Sequence, residues 1–100
     1  MMNTIVIELL VNNHPGVMSH ITGLIMRRAC NIEGILCGTV GDGNTSRIYL
    51  LMKDDWRIPR IVRQLKNLYD VIEVVPRDDC DTAVFDRIPE LIGTGVISPV

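Results

Sequence analysis

The residues best placed to do chemistry lie in one stretch, LLVNNHPGVMSHITGLI, residues 9 to 25. Within it, Asn13-His14-Pro15-Gly16-Val17 stands where a β-branched run gives way to helical spacing. Placing Pro15 at the first helical position wastes nothing, because its missing N–H is a donor the helix does not need and its fixed φ presets the turn. The N–H groups of Gly16, Val17 and Met18 then point out of the helix N-terminus, at the positive end of its dipole, where a small anion is favoured. Gly16 has no Cβ to hold a carboxylate away. Asn13 carries an amide that donates to a carboxylate or accepts from an ammonium. Together these residues have the parts to hold an α-amino-acid zwitterion. The plainer reading is a strand-to-helix turn capped by Asn13. Spacing alone leaves both readings open. His14 precedes a proline and is therefore extended, either lining such a pocket or facing water.

Elsewhere the chain shows no set of groups spaced for catalysis. Cys30, Cys37 and Cys80 are odd in number and widely separated, with no CxxC pair and no His/Cys cluster of zinc-ligand spacing. Reduced thiols in a cytoplasmic protein are the expectation, with Cys37 packed as a small apolar residue. His20 reads as a solvated or interface histidine, and Asp54 and Asp55 as helix caps. Catalysis by this chain alone is not expected. The net charge of −2, without a basic block, argues against a nucleic-acid partner. Apolar runs fall far short of the ~20 residues of a membrane span. The N-terminus shows no basic segment leading into an apolar run, so no secretory signal is expected.

The elements that must position the loop follow from the periodicity. With 100 residues, 47% of them hydrophobic, the chain has material for one domain with one core. Only four residues are aromatic, so that core is aliphatic. Thr4 to Val11 reads as a strand with Ile5, Ile7, Leu9 and Val11 on one face and Val6, Glu8 and Leu10 on the other. From Pro15 to Ala29, Val17, Ile21, Leu24, Ile25 and Arg28 recur at helical spacing, and Arg27 and Arg28 suit the last turn. Gly23 in mid-helix is unfavourable by roughly 1 kcal/mol against alanine, which a close neighbour would explain. Ile32 to Val40 and Ser46 to Met52 read as a hairpin around Gly41-Asp42-Gly43-Asn44. A second helix starts near Trp56, so that Pro59 falls in its first turn, and buries Ile58, Ile61, Val62 and Leu65, with Leu68 beyond. Val71 to Val75 is a fourth strand, ended by Pro76.

This order predicts an α+β, ferredoxin-like βαββαβ fold: a four-stranded antiparallel sheet with both helices on one face. The domain is expected over residues 1–76, with residues 77–100 a tail holding a short apolar run, Ile88 to Ile92. The strands offer only Tyr49 for base stacking, against an RNA-recognition role. The first loop has no cysteine, against a copper chaperone. The face opposite the helices carries Val6, Leu10, Leu36 and Leu51, an apolar patch that suggests association. Unblocked edge strands point the same way, so a homodimer is expected.

Three pieces of the sequence carry a family resemblance: Asn13-His14-Pro15-Gly16-Val17, Arg27-Arg28-Ala29 and Asn31-Ile32-Glu33-Gly34-Ile35-Leu36-Cys37. At this spacing they resemble the small, regulatory subunits of acetohydroxyacid synthase, also called acetolactate synthase, which are built on an amino-acid-binding ACT domain. The likeness continues more weakly through Ile48 to Leu51, the second helix and TAVFDRIPEL, to about residue 92. It fits the short, one-domain type of small subunit. Gly93 to Val100 do not match and are assigned nothing.

The resemblance implies a non-catalytic subunit that activates a catalytic large subunit and confers feedback inhibition, most often by valine, with leucine and isoleucine as the related effectors. No cofactor is then expected on this chain; thiamine diphosphate, Mg²⁺ and FAD belong to the catalytic subunit, which opens branched-chain amino-acid synthesis. It also implies that the effector lies between two ACT domains. One chain would supply Asn13, His14, Pro15, Gly16, Val17 and Met18, and the other Asn31 and Ile32, with Cys30 less certain. Antiparallel first helices, brought close at Gly23, would set each loop against the other chain's Asn31. A free-standing ACT sensor of another enzyme, or a dimer module without a ligand, are the alternatives.

Overall fold

The computed structural model describes residues 3–93. Its centre is β1 (Thr4–Asn12), which is apolar at alternate positions and pairs antiparallel on both sides. The other strands are β2 (Ile32–Val40), β3 (Thr45–Lys53) and β4 (Val71–Arg77), and the sheet order is β2-β3-β1-β4. Two helices, α1 (Val17–Arg27) and α2 (Ile58–Lys66), supply the crossovers, giving the expected β-α-β-β-α-β order.

Period-2 and period-3.6 patterns meet in one core. Ile5, Ile7, Leu9 and Val11 of β1 and Ile48, Leu50 and Met52 of β3 face Val17, Ile21, Leu24 and Ile25 of α1 and the Ile58, Ile61, Val62, Leu65 stripe of α2. Each such side chain contributes about 1.5–3 kcal/mol by leaving water. Leu68 packs against the rim of this core.

Several boundaries differ from the sequence reading. The first helix begins at Val17, and Pro15 lies two residues before it in the turn. Gly16 is the N-cap, at φ 91°, a left-handed conformation that keeps Pro15 out of the helix. The second helix begins at Ile58 rather than Trp56, with Arg57 as its N-cap. Asp55 instead organises the turn before it, accepting from the Arg57 N–H at 2.9 Å. Pro59 falls in the first turn, where a missing donor is harmless. β4 runs through Pro76, which stands opposite Ile7. That is tolerated because β4 is an edge strand, with no further strand beyond it among the described residues.

The helices do not reach over β2. A bulge at Glu33 puts Ile32 opposite Met52 but Gly34 opposite Leu51, so Ile32 and Ile35 share the helix-side face. There Ile35 is 40% exposed, and Cys37, expected to be packed, is exposed as well.

The opposite face is not the bare apolar surface that the strands alone suggest. A 3-10 turn, Thr82–Phe85, started by Asp81 accepting from the Ala83 N–H at 3.0 Å, folds back across it. Val84 and Phe85 close over Val6, Leu36 and Tyr49, around a cavity of about 360 Å³. Gly34 makes room: a Cβ there would stand 2.6 Å from Phe85 Cδ1. Beside this lid, Glu8 pairs with Arg77 at 2.5 Å and with Arg47 at 3.7 Å. The Arg77 guanidinium holds the Glu8 carboxyl below its ordinary range. The tail thus has structure the sequence reading did not foresee, including a short α3 (Ile88–Ile92). The part of the predicted tail at 94–100 lies outside the described residues.

Candidate effector site

The start of the loop between β1 and α1 is held by three hydrogen bonds to two neighbouring turns. The Asn12 N–H donates to the Asp70 carbonyl at 2.8 Å, and the Asn13 N–H to the Asn44 carbonyl at 2.9 Å. The Asn13 side chain donates from Nδ2 to the Gly43 carbonyl at 2.8 Å. Asn13 therefore does not cap α1, which has no side-chain cap. It ties the loop to the β2–β3 turn.

His14 is bonded at both ring nitrogens. Nδ1 lies 2.6 Å from the Pro15 carbonyl, and Nε2 pairs with the Asp70 carboxylate. The Pro15 carbonyl, then Asp70, raises the His14 pKa above the ordinary 6.5.

Gly16 opens the helix with nothing within 4 Å of where a Cβ would stand. Its role is thus the left-handed φ rather than relief of crowding. The Val17 N–H is engaged by the His14 carbonyl at 3.4 Å, and the Val17 side chain is in the core. Among the described residues, the N–H groups of Gly16, Met18 and Ser19 have no acceptor. The open donors are these three, so Ser19 joins the expected set while Val17 contributes a partly engaged one. Met18 packs its side chain against the core. What the loop presents is backbone: a short row of donors at the positive end of α1, suited to a carboxylate.

Asn31 and Ile32 lie at the other end of α1. Asn31 is exposed and Ile32 packs against the core. Eleven residues of helix separate the two groups by about 16 Å, so one protomer does not bring them together. Around Asn31 is a separate cavity of about 130 Å³, lined also by Ala29, Cys30, Lys53, Asp55 and Arg57. Arg57 forms a bidentate pair with Asp55, at 2.7 Å and 3.3 Å, and donates to the Ala29 carbonyl at 2.9 Å. These hold the chain in place as it leaves α1. The sequence analysis did not single out Arg57, and only its position beside the end of α1 reveals this role. Among the described residues, no neighbour from another element packs on Gly23: within 4 Å of where its Cβ would stand is its own helix's Arg27 Nη1, at 3.4 Å.

No group of three or more His, Cys, Asp or Glu is placed to hold a metal among the described residues. Nor is any described helix long and apolar enough to cross a membrane.

An ACT fold with a donor-lined turn at the head of its first helix is the class these features define. The AHAS small subunit-like ACT domain model matches residues 7–73. The small subunit of acetolactate synthase isozyme 1 from Escherichia coli K12 is 45% identical over 86 residues, 86% of this chain and 88% of that one. A probable acetolactate synthase small subunit from Archaeoglobus fulgidus is 36% identical over 69 residues, 68% of this chain but 43% of that longer one. Among solved structures, the acetolactate synthase small subunit of Thermotoga maritima superposes with TM-score 0.66 at 34% identity, over 73% of this chain and 46% of that one. The regulatory subunit of aspartate kinase from Thermus flavus shares the fold alone, at TM-score 0.64 and 18% identity over 79% of this chain and 54% of that one. This chain belongs to the family of acetohydroxyacid synthase small-subunit ACT domains.

Proposed function

We propose that this chain is the non-catalytic regulatory subunit of an acetolactate synthase: it activates a catalytic large subunit and makes it sensitive to feedback inhibition by valine. The observation that carries the reading is the row of unpartnered donors at Gly16, Met18 and Ser19, inside the segment that matches the family. A carboxylate is the group such a row suits, and an amino-acid effector brings one. The length of α1, about 16 Å, between this row and Asn31 is the reason to expect two copies. With first helices antiparallel, each loop meets the partner's Asn31–Ile32, and an amide beside an apolar surface suits an ammonium beside a branched side chain. Thiamine diphosphate, Mg²⁺ and FAD would all sit on the large subunit, in the cytoplasm where this synthesis runs.

The test is a calorimetric and thermal-shift titration of the full chain with valine, leucine and isoleucine, with lysine and serine as controls. A ligand at 100 times its Kd stabilises the fold by about 2.7 kcal/mol. A selective shift with valine, and valine-sensitive activation of a thiamine-dependent large subunit, is the expected result. Activation without any amino-acid binding would leave a purely activating subunit and remove the effector. Binding without activation of that partner would make the chain a sensor for a different enzyme.

A further inference from the structure

The donor row is only as well defined as the loop that presents it, and nearest the row, after the bonds at Asn12 and Asn13, that loop is held by the His14 side chain. His14 spans from the Pro15 carbonyl at Nδ1 to the Asp70 carboxylate at Nε2. Both partners are acceptors, and neither brings a proton. A neutral imidazole has one N–H, so it satisfies one of them and sets a lone pair against the other. Only the imidazolium donates to both. Asp70 is itself fixed: it is buried, and its carbonyl accepts from the Asn12 N–H two residues before His14. The same residue thus grips the loop by backbone and by side chain.

We propose that Asp70 is a positioning residue for the β1–α1 loop, holding its donor row in place through a doubly protonated His14. The link to an effector rests on the function proposed above; the clamp itself does not. The groups around the ring are few. The turn before β4 brings Asp70. The titratable side chains of α1 are His20 and Arg27, and Asp42, the acidic residue of the β2–β3 turn, is bonded to Asn44. The His14 pKa is raised by these acceptors. A raised folded-state value means that the clamp is complete below the ordinary imidazole range and is lost as pH climbs through that raised value. Carboxylate binding at Gly16, Met18 and Ser19 therefore weakens with rising pH, although valine itself does not change charge there.

Two measurements on the full chain decide this. The first is an NMR titration of the His14 ring, with the amide shifts of residues 13–19, in the wild type and in Asp70→Asn. The ring should titrate above the 6.5 of free imidazole, the loop amides should move with it, and Asp70→Asn should bring both midpoints down. A ring that titrates at one pH in both proteins overturns the clamp. Should Asp70→Asn not fold, His14→Gln, which keeps one donor but has no proton to exchange, must flatten the pH response of the loop amides; a response that persists in it is equally fatal. The second is the Kd of valine between about pH 6 and about pH 8.5, which should weaken on the order of fivefold in the wild type and stay flat in His14→Gln. A flat wild-type profile overturns the coupling. Absence of valine binding at every pH removes the proposed function, and the ring titration still decides the clamp.

Discussion

Each end of α1 has one residue in the left-handed region: Gly16 at φ 91° before the helix and Ala29 at φ 57° after it. The similarity stops at the backbone. At the C-terminal end the orphan groups are taken up locally. The Ala29 N–H donates to the Met26 carbonyl at 3.0 Å and the Cys30 N–H to Ile25 at 3.4 Å, the paired bonds of a Schellman ending. Arg57 holds the Ala29 carbonyl, and Arg28 Nε reaches Gln64 of α2 at 2.8 Å. Those side-chain bonds steady a conformation that alanine adopts against a penalty of about 1–2 kcal/mol. At the N-terminal end the residue is glycine, there is no side-chain cap, and three donors stay open. One end is closed by its own protein and the other is left for something else. The start of α2 lacks a side-chain cap as well, so what marks the head of α1 is its three open donors on a tethered loop.

The contrast can be broken in stages. The largest effect is expected from Gly16→Asp. Aspartate tolerates the left-handed region, so the fold should persist, but its carboxylate lies at the row of donors; valine binding should vanish in calorimetry while the circular dichroism spectrum is kept. Undiminished valine inhibition of the reconstituted synthase would show that the loop is not the effector site. Next is Asn31→Ala at the far end, which should weaken valine about tenfold, the scale of one charge-assisted hydrogen bond, and leave activation of the large subunit intact. Simultaneous loss of both would point to a damaged dimer. Gly16→Ala introduces strain without a charge and should lower stability by about 1 kcal/mol in denaturant titrations. The smallest effect is at Ala29→Gly, where relief of the left-handed alanine outweighs added chain entropy and should raise stability by about 0.5 kcal/mol. A loss there would mean that the Arg57 bond and the Schellman ending already remove the penalty.

Much of this was legible in the sequence because it is periodic. The faces of β1, the Ile58, Ile61, Val62, Leu65 stripe and the hairpin around Gly41–Asn44 all follow from alternation or helical spacing. What was not legible depends on position in the tertiary structure. Pro76 read as a strand stop because sequence does not say that β4 is an edge. Cys37 read as buried because nothing local tells that the helices miss β2. The lid formed by Val84 and Phe85 was invisible, since its signal is a glycine fifty-one residues earlier whose missing Cβ makes room for a ring. In the site, the Asn-His-Pro-Gly-Val turn was found by residue type. Which donors stay open was not, because that depends on the His14 carbonyl reaching Val17. Nor was Asp70 visible, fifty-six residues from its histidine.

The proline within β4 makes the two margins of the sheet unequal. A sheet grows at its margins, and this one has two: β2, whose outer backbone groups meet no other strand among the described residues, and β4, where Pro76 removes a donor. Strand addition is therefore favoured on one side and discouraged on the other. Two copies joining through β2 would leave only proline-bearing margins exposed, and assembly by that route would stop at two. Read on paper as the stop of a strand, Pro76 in the fold leaves the β4 margin one donor short, a margin that suits a further strand less well than β2 does.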